Sequence, residues 1–216
     1  MITVNVTNKN LFDNESSAYV IPVEQGHIVP EQWKKEINDC FFDLNALFNE
    51  ARFEGKKGSF MAVPARHKNR LIHMIFVGLG AKNSAGKLDI EQYRRALGLA
   101  VKAARKHRTA SFTIPMLDGG LFGLSHERLA QETTTILRMA SYSFDVYITD
   151  DACKAQDLTA TLAAPTHTAE IEKGSQIGLI IGHAVNTARY WIDLPPSTLT
   201  PPELAVKAQE IADKHG

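Results

Sequence analysis

The stretch SFTIPMLDGGLFGLSHERLAQE, residues 111–132, runs from a strand into a glycine-rich loop and then a helix start. The N–H groups left open at a helix N-terminus can hold an anion. Asp118, Gly119, Gly120, Phe122 and Gly123 are therefore the candidate ligand-binding residues. A second glycine stretch, VGLGAKNSAGKL at 77–88, invites the same reading and fails it. Five residues separate Gly80 from Gly86 where a phosphate loop has four, and Leu88 stands where Ser or Thr would bind magnesium. Asn83 takes the place of a third dinucleotide-loop glycine, so the segment reads as a plain strand-to-helix turn.

Metal and nucleophile chemistry find less support. No two of the eight histidines stand four residues apart, and neither HExxH nor Gly-x-Ser-x-Gly occurs. No carboxylate cluster suits two divalent ions. No catalytic or metal-ligating residue is assigned in this chain. Cys40 and Cys153 are too few and too far apart for a disulfide framework and read as reduced thiols of a cytoplasmic protein.

The elements that must position the glycine loop follow from periodicity. Ile2–Thr7 and Ala18–Val23 are rich in β-branched residues and read as strands. Trp33, Ile37, Phe41, Leu44 and Phe48 recur at helical spacing after Pro30 and predict one amphipathic helix. Strands are predicted at Ser59–Pro64 and Leu71–Val77, joined through the polar residues 66–69, and again at 110–116 and 144–149. Asp89 with Gln92 signals a capped helix carrying Tyr93, Leu97, Ala100, Val101 and Ala104 on one face. A helix is expected over 125–141, one more strand between Asp150 and His167, and a long helix from Ala169 to Ile192. Gly174, Gly178 and Gly182 recur every four residues along that helix and mark a flat face for close packing. The alternation argues for an α/β fold with a parallel or mixed sheet.

Charge is uneven although it sums to zero: residues 1–50 carry −5, residues 51–108 carry +11 and residues 109–216 carry −6. A basic middle fits a nucleic-acid face or a surface meeting acidic neighbours in an assembly. Arg94, Arg95, Lys102, Arg105 and Lys106 read first as a solvated helix face. No apolar run approaches the ~20 residues that span a bilayer, and the N-terminus shows no secretory signal pattern.

Two resemblances add to this reading. Pro115, Gly120, Phe122 and Gly123 match, in order, the diphosphate-binding segment of macro domains, which resembles a strand ending in Pro before a Gly-aromatic-Gly loop. Ser17 stands where macro domains carry the acid that reads adenine, Pro22 and Val23 fall at their Asn-rich turn, and Gly26 stands alone. The resemblance implies a three-layer macro-like fold, with ADP-ribose binding an alternative reading.

The stretch NTARYWIDLPPSTLTPPELAVKAQEIADKHG, residues 186–216, is similar to the interdomain segment of the leucyl (cytosol) aminopeptidase family. Ala188, Arg189, Pro195, Leu199, Thr200, Pro201, Leu204 and Ala205 carry the match, while Asp193 and Ser197 replace Asn. Thr200-Pro201-Pro202-Glu203 is a strong helix start in its own right. The resemblance implies a macro-like domain over 1–168, a linking helix over 169–192, a Pro-rich linker over 193–202 and the opening of a catalytic domain at 203–216. It further implies a whole protein that removes N-terminal residues from peptides with two divalent ions, zinc or manganese, as a cytoplasmic hexamer. The piece seen here would be inactive and would serve assembly and active-site shielding. A DNA-binding accessory role for the basic 51–108 block is the remaining alternative.

Overall fold

The computed structural model describes residues 2–41 and 43–215. Phe42, inside the predicted amphipathic helix, and Gly216, the end of the last predicted segment, lie outside them. Six strands form one sheet: β1 (Ile2–Thr7), β2 (Ala18–Glu24), β3 (Phe60–His67), β4 (Arg70–Gly80), β5 (Ser111–Pro115) and β6 (Leu158–Ala163). Their order is β1-β6-β5-β2-β4-β3. All neighbours run parallel except β3, which closes the sheet as a hairpin against β4. Lys68 and Asn69 turn that hairpin with positive φ values of 44° and 62°, the two-residue geometry whose twist suits paired strands.

The consecutive residues Met74, Ile75, Phe76 and Val77 are each at most 1% exposed. Neighbouring side chains in a strand point to opposite faces, so both faces of the sheet are covered. The flanking helices are α1 (Glu31–Cys40), α2 (Leu44–Glu50), α3 (Ile90–Lys106), α4 (His126–Ala140), α5 (Thr168–Asp193) and α6 (Pro201–His215). The predicted α/β fold with a mixed sheet between helices is what the chain adopts.

Two local expectations are corrected. The single helix expected through Phe41 and Leu44 is broken into α1 and α2. Phe41 is extended at φ −133°, and the Asp43 carboxylate accepts the Ala46 amide at 2.9 Å to cap α2. A short acidic side chain that bonds nearby backbone competes with helix propagation and favours a cap. The aromatic period survives the break, since Phe41 and Phe48 both meet Phe76 of β4.

The strand expected at 144–149 does not form. Asp145 accepts the amides of Ile148 and Ala155 and bends the chain, while Phe144 packs on Tyr147 and Tyr190. The place between β1 and β5 belongs instead to Leu158–Ala163.

Helices α3, α4 and α6 begin at the expected residues, although Asp89 bonds the Glu91 amide where Gln92 was its expected partner. Asp89 caps α3 through the Glu91 amide, Ser125 caps α4 through Arg128, and Thr200 precedes α6 with its hydroxyl 3.5 Å from the Glu203 amide. The glycine stripe of α5 lies against α4: a Cβ on Gly174 would sit 2.0 Å from the Glu127 carbonyl oxygen, and one on Gly178 2.5 Å from that of Gln131. Two helix backbones can approach this closely only where one side has no side chain.

Tyr93 joins α3 to α4 through its hydroxyl, 3.2 Å from the Thr133 hydroxyl. Full burial pushes its pKa up to about 12 from 10. The unfolded chain therefore releases this proton first, and between pH 10 and 12 the folded state holds more protons than the unfolded one. Stability falls as pH rises through that window. Urea unfolding across pH 9–12 is expected to show a shallower alkaline decline in Tyr93→Phe than in the parent.

Beyond the sheet, α5 and α6 leave apolar surface open. Ile180 and Ile192 of α5 are 70% and 80% exposed, and Leu204, Val206 and Ile211 of α6 are exposed too. The end of α5 is nonetheless anchored. Asn186 and Arg189 donate to the carbonyls of Arg138 and Met139, and the Tyr142 hydroxyl donates to Asp193.

Candidate functional site: a cleft at the carboxyl ends of the strands

Parallel sheets present their loops at the carboxyl ends of the strands, which is where α/β folds bind ligands. A cleft of about 520 Å³ lies there. Asn10–Asp13 after β1, Pro115–Asp118 after β5 and Ala163–His167 after β6 form its walls, with Gln32, Trp33 and Glu36 of α1 along another side.

Of the predicted site residues, only Asp118 reaches this cleft. Gly119–Phe122 form a 3-10 turn that takes up the amides of Gly120 and Leu121 internally. The Asp118 carboxylate accepts the Gly120 amide at 2.8 Å, the Asp118 carbonyl takes Leu121, and the carbonyls of Gly120 and Gly119 take Gly123 and Leu124. Phe122 is buried against Tyr93, ring centroids 4.9 Å apart. Gly119 is required by close approach, since a Cβ there would meet the Leu124 carbonyl oxygen at 2.5 Å. Gly123 ends the turn in the left-handed region at φ 69°. A diphosphate reaching the Gly120 amide would have to displace the Asp118 carboxylate.

The cleft contains two histidines that sequence spacing kept apart. His126 opens α4 and His167 precedes α5 in the left-handed region at φ 55°. Their rings stack 3.9 Å apart and 9° from parallel. Glu170 lies 3.8 Å from His126 Nδ1 and 3.6 Å from His167 Nδ1, while Asp118 lies 3.5 Å from His126 Nε2. The cleft lining includes the acids Asp13, Glu36 and Asp118 and holds no lysine or arginine. Glu36 Oε2 is shielded from solvent without a hydrogen-bond partner among the described residues. Lys68, outside the lining, donates to the Phe12 carbonyl and lies 3.8 Å from Asp13, so the acids without a lysine or arginine partner among the described residues are Glu36 and Asp118.

A further pair gives no nucleophile. The Cys40 thiol lies 3.7 Å from His67 Nδ1, but burial first, and then Asp39 and Glu36, push it up to about 11. It is protonated near neutral pH and inert as a thiolate. The basic face of α3 is partly spent within the fold: Arg94 pairs with Glu132 at 2.7 Å, Arg95 with Glu91 at 3.1 Å, and Arg105 donates to the Ser141 carbonyl.

Residues 20–151 match the family model described as cytosol aminopeptidase family, N-terminal domain. The chain belongs to this family. A probable cytosol aminopeptidase of Persephonella marina is 24% identical over 174 residues, which are 80% of this chain and 34% of the relative. The chain thus spans about a third of that relative's length. Among solved structures, a mutant of tomato leucine aminopeptidase superposes with a TM-score of 0.77 at 18% identity, covering 99% of this chain and 42% of that one. The bottromycin maturation enzyme BotP, in complex with Mn, follows at 0.68 and 20% identity, covering 93% and 37%. Identities this low show a shared fold.

The aminopeptidase family implies a pair of catalytic metal ions, and the residues here do not fit one. Among the described residues, the one group of three potential ligands with converging atoms is His126, His167 and Glu170, with a single carboxylate. Two adjacent divalent ions need several bridging and terminal oxygens.

Proposed function

We propose that this chain is the non-catalytic N-terminal domain of a cytosol-type aminopeptidase, a hydrolase that releases N-terminal residues from peptides with two divalent ions, zinc or manganese, held elsewhere in the protein. Its work is to build the oligomer, a homohexamer in the whole protein, and to shield the catalytic centre. Residues 1–168 form the domain, 169–192 the linking helix, 193–202 the stiff linker, and 203–216 open the next domain. The proposed setting is the cytoplasm, supported by the relative named a cytosol aminopeptidase. None of the described helices is long and apolar enough to cross a membrane.

One observation carries this reading: the sheet and its core are complete, yet α5 and α6 hold isoleucines, a leucine and a valine out in solvent. Apolar surface on consecutive elements marks an interface awaiting cover. The prolines at 195 and 196 stiffen the passage between α5 and α6, and the Pro195 carbonyl accepts the amides of Thr198 and Leu199.

Sedimentation of the chain tests the assembly role. Ile180→Glu with Ile192→Glu is expected to weaken self-association at least tenfold, since 1.4 kcal/mol of lost apolar burial is a factor of ten. Association that is unchanged by the pair of substitutions contradicts it.

A further inference from the structure

We propose that His126, His167 and Glu170 form a single divalent-metal site of zinc type at the rim of the cleft, with Asp118 as the residue that orients His126. A carboxylate at a helix N-terminus needs no metal to be there, because the helix dipole favours it. The dipole does not account for two imidazoles brought together from positions 41 apart in the chain and stacked at 3.9 Å. Nor does it account for both turning Nδ1 toward the same Glu170 carboxylate.

The arrangement matches the pattern of an imidazole zinc ligand. His126 Nδ1 faces the shared point while its Nε2 faces the Asp118 carboxylate at 3.5 Å. Metal-binding histidines commonly donate their other ring nitrogen to a carboxylate, which sets tautomer and basicity. Asp118 is itself held by the Gly120 amide, so the glycine turn acts here as a brace. Two imidazoles and one carboxylate suit zinc and leave a fourth position open to the cleft.

One ligating atom from each residue lies within 4.8 Å of the others. Zinc–ligand bonds near 2.1 Å put neighbouring ligand atoms roughly 3.4 Å apart, so the group must close by about 1.4 Å. Parallel rings cannot both aim lone pairs at one ion, and one must turn. His167 and Glu170 are about half exposed, and imidazole χ2 is a broad torsion. Glu36 and Asp118, which have no lysine or arginine partner among the described residues, favour the added positive charge, while Lys68 already stands beside Asp13.

Calorimetric titration of zinc into the chelator-treated 216-residue chain tests the site. One equivalent is expected to bind. His126→Ala and His167→Ala should each weaken binding at least ~100-fold, and Asp118→Asn about tenfold. Glu170→Gln, at an exposed position that the core does not use, should also lose at least ~10-fold while circular dichroism stays that of the parent. Cobalt in place of zinc should give the visible absorption of a tetrahedral nitrogen–oxygen site, lost in His167→Ala. Absence of stoichiometric binding overturns the proposal, as does binding equally tight in His167→Ala and Glu170→Gln.

Discussion

Phe76→Ala is expected to lower the free energy of unfolding by about 4 kcal/mol, read from urea denaturation of the 216-residue chain. Phe76 is fully buried in β4 and stands in register with Ile21 of β2 and Met61 of β3. Phe48 meets it edge-on at 5.0 Å, with Phe41 and Phe53 at 6.1 and 6.4 Å. Alanine removes a ring that three others pack against, so the loss includes both transfer and cavity contributions. Native stabilities of 5–15 kcal/mol make this a large fraction of the total. Leu71→Ala, five residues back along the same strand but 79% exposed, should change stability by no more than about 0.5 kcal/mol.

Gly174→Ala is the second large effect, an expected net loss of about 2 kcal/mol. Helix propensity alone predicts the opposite sign, because alanine is favoured over glycine by about 1 kcal/mol within a helix. The added Cβ, however, would stand 2.0 Å from the Glu127 carbonyl oxygen and 2.8 Å from its carbon. Those are backbone atoms and cannot rotate away, so α4 and α5 must separate along a seam that also buries Ser175 against Thr134. Overpacking of this kind costs about 1–3 kcal/mol and occasionally more, which outweighs the propensity gain. Gly98→Ala supplies the contrast. It lies inside α3 with nothing within 4 Å of its would-be Cβ, and should stabilise by up to about 1 kcal/mol. Equal effects at the two glycines would contradict the packing argument.

Period and punctuation made most of the architecture legible. The β-branched runs of β1 and β2, the capping residues Asp89 and Thr200, and the glycines of α5 all act locally, and each is used as its chemistry suggests. The errors came where tertiary competition decides. Residues 144–149 have strand-like composition, but the slot beside β1 went to Leu158–Ala163, and a one-dimensional pattern carries no information on which segment wins a neighbour. The break after Cys40 was hidden because aromatic spacing continues past it while Asp43 caps a new helix.

The site was less legible for the same reason. Glycine content drew attention to 119–123, where the amides of Gly120, Leu121 and Gly123 serve the turn itself. His126 and His167 show no ligand spacing, because β6 and two helix starts bring them together. The one available signal was that both flank predicted helix N-termini after strands, at the end of the sheet where such folds bind.

The role proposed for this domain is that of a scaffold. Its most direct test is hydrolysis of a leucine anilide by the purified chain, with zinc or manganese supplied in excess and followed spectrophotometrically. Release at the rate of buffer with metal alone is the expected result. Metal-dependent turnover that scales with protein concentration and persists through a further purification step would contradict it.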